Sequence, residues 1–147
     1  MIQDVELTSL IREFQSQFEG CSEGEIQFIE SFYKIKLPLV LKEYLRIMGE
    51  KSRDVFSGLE VDFSELESIN NEFQEILKYH NRLDENPALA FMMNQGYAFY
   101  AIKNFELDDP EVYSYIDGDD GLEISVSDNS FSVFLKRMLK MKKRHSN

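Results

Sequence analysis

The sequence predicts an α+β fold in which N-terminal helices precede a central antiparallel meander, and a C-terminal helix packs on the sheet. Three observations predict it. Apolar residues recur at helical spacing in the first third of the chain. Short aromatic and β-branched runs separated by turn residues follow from residue 88. Helical spacing then returns near residue 128, and helices, strands and a last helix in this order are typical of α+β proteins.

The first third of the chain predicts three closely joined helices. In residues 6–18 apolar side chains recur on one helical face. Ser22 and Glu25 have the spacing of a capping box, so a second helix begins there. A third helix begins at Pro38, which suits the first helical position, and ends at Gly49. The side chains expected to face the core are Leu7, Leu10, Ile11, Phe14 and Phe18, then Ile26, Ile29 and Phe32, then Leu41, Leu45 and Met48.

Residues 50–87 have a weaker pattern. Residues 55–56 and 59–61 are short strand candidates. Ser64 and Glu67 repeat the capping-box spacing ahead of apolar residues at helical intervals, which predicts a helix over residues 64–79.

Four short runs predict the sheet, and one amphipathic segment predicts the last helix. The runs are residues 88–93, 97–103, 112–116 and 122–126. The turn-rich connections between them are short, and such connections join antiparallel neighbours. The last helix is predicted to begin near Asp128 and to turn Phe131, Phe134, Leu135, Met138 and Leu139 inward.

Length and composition favour one domain over residues 1–147, with a basic, frayed tail at residues 141–147. A chain of 147 residues with 43% hydrophobic side chains can bury a substantial core. No apolar run approaches the ~20 residues that span a bilayer. The N-terminus carries early acids and lacks the basic region of a signal peptide. We therefore expect a cytoplasmic protein with no membrane contact.

The charge distribution is uneven. Residues 1–135 carry 10 basic and 27 acidic side chains, a net charge of −17, whereas residues 136–147 carry six basic side chains and no acidic one. An acidic body repels nucleic acid and attracts a basic protein. The alternative is that these acids only maintain solubility. The basic run at residues 142–144 is interpreted as a solvated helix end, not as a nucleic-acid site.

Catalytic and metal-binding motifs are missing from the sequence. Cys21 is the only cysteine, which excludes an internal disulfide or a multi-cysteine metal site, and neither His80 nor His145 has the context of a general base. The loop at residues 117–121 is rich in Asp and Gly, but the EF-hand spacing is absent and a hairpin turn is favoured over calcium binding. We therefore predict a protein that is not an enzyme and has no cofactor or metal.

One stretch is a candidate interaction site. Residues 104–128 contain nine acids and no base, together with aromatic side chains. Strand alternation would place some of these on one exposed edge or face, and aromatic residues within an acidic rim suit an interface with a basic partner. The alternative is that Tyr113 and Tyr115 cover the core. The predicted partner-binding residues are Glu106, Asp108, Asp109, Glu111, Tyr113, Tyr115, Asp117, Asp119, Asp120 and Glu123.

Four segments, in order, resemble the SUKH superfamily (the Smi/Knr type). Residues 37–45, Leu-Pro-Leu-Val-Leu-Lys-Glu-Tyr-Leu, resemble its Leu-Pro helix start, and a helix like that of residues 25–30 precedes it there too. Residues 91–100 resemble its central hairpin, residues 108–115 its Asp-Pro-x-Val-Tyr strand, and residues 127–135 the opening of its last helix. The resemblance spans about residues 22–140, and the sequence departs from the usual pattern between residues 49 and 87.

The resemblance implies a function in protein binding. Most members of this family are bacterial immunity proteins that bind and neutralise a cognate toxin domain of a polymorphic or contact-dependent system, often a nuclease. No catalytic residues are ascribed to the fold. The acidic composition fits this role, because nuclease toxins tend to be basic. The alternative function is a regulatory or scaffold module without a toxin partner, and in either case we expect a monomer or a weak dimer.

Overall fold

A computed structural model describes residues 2–145 and has a four-stranded antiparallel sheet at its centre. Strands β1 (Leu89–Asn94), β2 (Ala98–Ile102), β3 (Val112–Gly118) and β4 (Gly121–Asp128) pair in sequence order, so the sheet is a meander. The helices are α1 (Val5–Glu13), α2 (Glu23–Tyr33), α3 (Leu39–Met48), α4 (Leu66–Tyr79) and α5 (Phe131–His145). The predicted α+β class, with N-terminal helices, an antiparallel sheet and a C-terminal helix, is confirmed.

The sequence signals at the helix ends are confirmed for α2 and α3. The Ser22 hydroxyl accepts the Glu25 N–H and the Glu25 carboxylate accepts the Ser22 N–H, a complete capping box. Gly49 is the C-cap of α3 as predicted, and Pro38 is its N-cap, one residue before the first helical position where it was expected. The first helix is shorter than predicted, because α1 ends at Glu13 and a 3-10 turn over Gln15–Gln17, with no buried side chain, follows it.

Three predictions for the rest of the chain are wrong. Residues 55–56 are not a strand but the end of a 3-10 turn over Arg53–Phe56, and in residues 59–61 only Glu60 pairs with β1, through Met93. The capping box before α4 is formed by Asp62 and Glu65, two residues before the predicted pair. Asp128 does not begin the last helix: it ends β4, where two hydrogen bonds of 2.9 and 3.0 Å from the Arg137 guanidinium hold its carboxylate.

The sheet is covered on both faces. On one face, Ile69, Phe73 and Leu77 of α4 pack against a cluster that includes Phe99 and Tyr115. The opposite face packs against a larger cluster supplied by α1, α2, α3 and α5. Residues of β2 alternate between the two clusters, as side chains of a strand must. The position of α4 explains the segment that the sequence pattern left unclear, because this helix closes the second face.

The basic C-terminal helix packs against α1. Lys136 contacts Asp4 at 2.8 Å, Lys140 contacts Glu6 at 2.6 Å and Lys143 contacts Glu13 at 3.0 Å, all between side-chain nitrogen and carboxylate oxygen. Helix α5 extends to His145, so residues 141–145 of the predicted tail are helical, and residues 146–147 lie outside the described part of the chain. None of the helices in residues 2–145 is long and apolar enough to cross a bilayer.

Asn70 connects α4 to the sheet. Its side chain is buried, and its Nδ2 donates to the carbonyls of Leu66 and Ala90, while its Oδ1 accepts the Ala90 N–H at 2.9 Å. Both backbone groups of Ala90 are therefore satisfied by a side chain at a position where the β1–β2 register shifts.

We expect Asn70→Ala to lower the free energy of unfolding by about 2–3 kcal/mol, because it leaves the N–H and C=O of Ala90 buried without partners. The measurement is urea denaturation followed by circular dichroism. Asn71→Ala is the matched control, since Asn71 is exposed in the same helix and should change stability by less than about 0.5 kcal/mol. Equal effects of the two substitutions would contradict this role of Asn70.

Candidate functional site

The predicted acidic site does not form one surface. Glu106, Asp108, Asp109 and Glu111 precede β3, whereas Asp117, Asp119, Asp120 and Glu123 lie at its far end and in the β3–β4 hairpin. Strand β3 is seven residues long and therefore separates the two groups by about 20 Å. The sequence predicted that some of these residues share one exposed edge or face, and the structure has two acidic groups at opposite ends of β3.

Several of these residues have structural partners inside the protein. The Asp109 carboxylate accepts the Ser132 N–H at 2.9 Å in the first turn of α5. The Asp117 carboxylate contacts Nε2 of His80 at 2.8 Å, which ties β3 to the C-terminal end of α4. These two acids hold elements of the fold together. They are therefore less available to a partner than the sequence analysis expected.

Tyr115 is not on the surface. It is fully buried under α4, and its hydroxyl donates to a carboxylate oxygen of Glu85 at 2.8 Å. The prediction that Tyr115 contacts a partner is therefore wrong, because strand alternation turns it towards α4. The alternative, that it covers the core, is correct. Tyr113 is half-buried on the same face, with the Lys103 ammonium 5.0 Å from its ring centroid.

Glu85 is a buried acid with well-placed partners. Besides Tyr115, Lys103 Nζ lies 2.7 Å and an Arg82 guanidinium nitrogen 2.9 Å from its carboxylate. Burial opposes ionisation of Glu85, but the hydrogen bonds from Lys103 and Tyr115 outweigh it and hold the pKa of Glu85 below its usual range. Burial, followed by the Glu85 carboxylate, raises the pKa of Tyr115. This cluster is a structural ion pair under the sheet and needs no ligand to explain it.

The accessible acids of the predicted site are therefore fewer. Asp119 and Asp120 are exposed at the tip of the β3–β4 hairpin, and Glu123 is exposed just after it. Glu106 and Asp108 are exposed at the other end of β3, where Glu111 is half-buried. Among residues 2–145, none of these six carboxylates lies within ion-pair distance of a base. Asp119, Asp120 and Glu123 of the hairpin group are all exposed, whereas Glu111 of the other group is half-buried, so the hairpin group is the more accessible one.

An exposed aromatic cluster lies elsewhere and was missed by the sequence analysis. Phe28 and Phe32 of α2 are 55% and 54% exposed, and their rings stack with centroids 5.4 Å apart. Phe63 meets Phe28 edge-on with centroids 6.5 Å apart. We call Phe28, Phe32 and Phe63 the aromatic patch. The prediction that Phe32 belongs to the buried stripe of α2 is wrong.

Helix geometry explains why Phe32 is exposed. From Ile29, a residue four positions later is displaced by about 40° around the helix and one three positions later by about 60° in the other direction. Tyr33 therefore continues the buried stripe of Ile26 and Ile29, and it is half-buried. Phe28 and Phe32 are four residues apart and share the outward face. This four-residue spacing of two phenylalanines was the signal that could have identified the patch.

A shallow groove of about 150 Å³ borders the aromatic patch, lined by the patch residues with Tyr33, Ser64, Leu66 and Glu67. Exposed, clustered aromatic side chains are typical of protein interfaces, where they supply much of the binding energy. The patch is therefore the stronger candidate for a contact surface, and the acidic hairpin is a second one.

One group of potential metal ligands occurs among the described residues. The Cys21 thiol and the carboxylates of Glu25 and Glu50 have ligand atoms within 4.8 Å of one another, and the carboxylates of loop 117–121 form no comparable group in residues 2–145. Burial raises the pKa of Cys21 to about 12, so the thiol is protonated at neutral pH and is not a nucleophile. An ion would have to displace that proton in order to bind there.

The two carboxyl groups of this cluster interact directly. A hydrogen bond with Glu25, then burial, raises the pKa of Glu50, whereas the N–H of Ser22 and the hydrogen bond with Glu50 lower the pKa of Glu25. The pair therefore shares a proton more readily than two separate carboxyl groups would. Because the pKa of Glu50 is raised in the folded state, the stability it contributes is present at low pH and is lost as the pH rises through that pKa.

We expect Glu50→Gln to raise the melting temperature at pH 7 by about 2 °C, since the amide keeps a donor for Glu25 and removes the repulsion between the carboxylates. The gain should disappear below about pH 4, where Glu50 is protonated in both states. Thermal melts across this pH range test it. Glu75→Gln is the control, because Glu75 is exposed on α4 and its substitution should have little effect. A lower melting temperature for Glu50→Gln at pH 7 would contradict the claim that the Glu25 and Glu50 carboxylates repel each other in the folded protein.

The comparison with known proteins supplies the family. Residues 20–137 match the model of the SMI1 / KNR4 family (SUKH-1), a match that includes α2, α3, α4, the whole sheet and the start of α5. No curated protein matches the chain. Proteins of this family are in general non-catalytic immunity-type proteins with toxin partners. Because the match covers most of the chain, this protein belongs to the SMI1 / KNR4 family (SUKH-1).

Proposed function

We propose that this protein is a bacterial cytoplasmic immunity protein that binds and neutralises the cognate toxin domain of a polymorphic or contact-dependent system through an acidic surface. Membership of the SMI1 / KNR4 family carries the proposal, since immunity by toxin binding is the general role of that family. The protein acts as a stoichiometric inhibitor, so its surface and not a catalytic centre performs the function.

The charge of the body supports a basic toxin as partner. Residues 1–135 carry a net charge of −17, and the six bases of residues 136–147 offset only part of it. A nuclease must bind the negative backbone of its substrate, so its substrate groove is basic. An acidic inhibitor is attracted to the same groove and competes with nucleic acid there. A basic nuclease is accordingly the class of toxin that fits best.

The state of the reactive side chains is consistent with a non-catalytic role. Cys21 is buried and protonated, and His80 is hydrogen-bonded to Asp117. Glu85 is a buried acid, and its carboxylate forms ion pairs with Lys103 and Arg82. These groups are explained by packing and pairing, and binding to a partner requires none of them to react.

The proposal is tested by co-expressing this protein with the toxin domain encoded beside it. We expect growth to be rescued and the two proteins to co-elute in size-exclusion chromatography at low salt. A toxin domain from an unrelated system is the control and should be neither neutralised nor bound. Toxicity without rescue, together with no complex at low salt, would contradict the proposed function.

Reversal of charge at the hairpin should slow association with that toxin domain. We expect Asp119→Lys combined with Asp120→Lys to lower the association rate about tenfold at low ionic strength, because steering by surface charge speeds encounter. The difference should shrink at high salt, and the melting temperature should be unchanged since both side chains are exposed. Association rates are measured by stopped-flow or biolayer interferometry.

The matched control reverses two acids at the other end of β3, Glu106 and Glu111, for the same change in net charge. It should slow association less than the hairpin variant does. If the two variants slow association equally, the net charge of the protein and not the position of the hairpin determines the rate.

A further inference from the structure

We propose that the aromatic patch of Phe28, Phe32 and Phe63, with the acidic side chains around it, is the anchor that holds a basic protein surface. This inference rests on the proposed function and specifies which part of the molecule the toxin contacts. The patch, and not the acidic stretch of β3, then supplies most of the binding energy.

The geometry of the patch is suited to an anchor. Phe28 and Phe32 are each more than half exposed, although Phe73, Phe99, Phe131 and Phe134 are almost fully buried. Stacking of Phe28 on Phe32 and the edge contact with Phe63 hold the rings in place before binding. A partner that covers them therefore gains buried apolar area at a small cost in side-chain entropy. Contiguous exposed aromatic rings of this kind mark contact surfaces.

The charge around the patch identifies its partner. Phe28 and Phe32 lie in residues 13–33 and Phe63 lies in residues 54–77, and these two segments carry five and seven acids with no base. In the first segment, four of the five acids pair with bases from other parts of the chain, namely Glu13, Glu19, Glu23 and Glu30. In the second segment, none of the seven carboxylates is within ion-pair distance of a base in the described chain; they are Asp54, Glu60, Asp62, Glu65, Glu67, Glu72 and Glu75. The exposed acids of this segment, Asp54, Glu67, Glu72 and Glu75, are therefore available to bases of another protein, whereas Asp62 and Glu65 already accept backbone N–H groups.

One acid of this segment lies beside the patch, where a basic side chain of the partner would bind. Glu67 lines the groove beside Phe28, Phe32 and Phe63 and is exposed. An arginine of the partner could lie over a phenyl ring and direct its guanidinium towards that carboxylate, a combination that aromatic rings and acids favour. Burial is the largest cause that raises the pKa of Glu60, and the neighbouring charges of Glu65 and Glu72 add to it. Nucleic acid is excluded by the same charges.

A second copy of this protein fits the patch less well. In a two-fold symmetric contact each subunit presents the same surface to the other, so the acids of residues 54–77 would face one another. Like charges that meet at an interface oppose association. The occupant is therefore a basic partner.

The test compares two double variants. The patch variant combines Phe28→Ala and Phe32→Ala, and the control variant combines Tyr79→Ala and Leu83→Ala. Tyr79 is the last residue of α4 and Leu83 follows four residues later; these control side chains are 82% and 49% exposed. Binding to the toxin domain encoded beside the gene is followed by biolayer interferometry. We expect the patch variant to dissociate at least about 30-fold faster with an association rate within about threefold of wild type. The control should differ from wild type by less than about twofold.

A second variant tests the charge. Glu67→Lys keeps the aromatic rings and adds a base where the partner is expected to have one, so it should weaken binding by at least about tenfold. Melting temperatures of all variants should match wild type, since every substituted side chain is exposed.

The outcomes separate this inference from the proposed function. If wild type binds the toxin domain and the patch variant binds it equally well, the anchor is wrong and the immunity function stands. If wild type forms no complex, the proposed function and its anchor both fail. If wild type is a dimer that the patch variant converts to a monomer while toxin binding is unchanged, the patch belongs to a second copy and the inference is overturned.

Discussion

The rest of the structure depends on a sheet that must be covered on both faces. Strand β2 directs Phe99 and Ala101 towards α4, and Tyr100 and Ile102 towards the N-terminal helices and α5. Neither face of the central strands can remain open to solvent, so α4 is required and its attachment through Asn70 is part of the fold. This constraint also limits where a partner can bind. The hairpins, the loops, the outward faces of the helices and the edge strand β4, where Val126 is 47% exposed, remain accessible.

A second constraint is the distribution of charge between the helices. The basic residues of α5 form ion pairs with α1, at Lys136, Lys140 and Lys143, and so they hold the two ends of the chain together. Each such exposed pair contributes little stability, about 0–1 kcal/mol. These bases neutralise acids near the N-terminus, whereas none of the acids of residues 54–77 lies within ion-pair distance of a base in residues 2–145. The negative surface that a partner meets therefore includes residues 54–77 and the exposed acids at the two ends of β3.

Periodicity and capping signals predicted the helices and the meander, because those features depend on neighbours in sequence, whereas the resemblance of four segments in order predicted the family. Predictions that depended on tertiary contacts failed. Asp62 and Ser64 each precede a glutamate by three residues, and Asp62 is the cap because its carboxylate also accepts the Ser52 N–H at 3.2 Å. The acidic stretch was predicted as one site because its residues are adjacent in sequence, although β3 separates them in space. Phe32 is displaced from Ile29 by about 60° around the axis of α2, which places it outside the core. Apolar spacing alone does not resolve a displacement of that size.

The two candidate surfaces would serve different steps of binding. Exposed acids at the hairpin act at a distance and affect how fast a partner arrives, whereas the aromatic patch acts in contact and affects how slowly it leaves. Helix α2 is suited to the contact that slows dissociation, because Ile26 and Ile29 are its only fully buried side chains. Positions 28 and 32 contribute little to the stability of the fold, so substitutions there can change the partner without unfolding the protein. An immunity protein that must match one toxin and reject others needs positions of this kind, where specificity can change independently of stability.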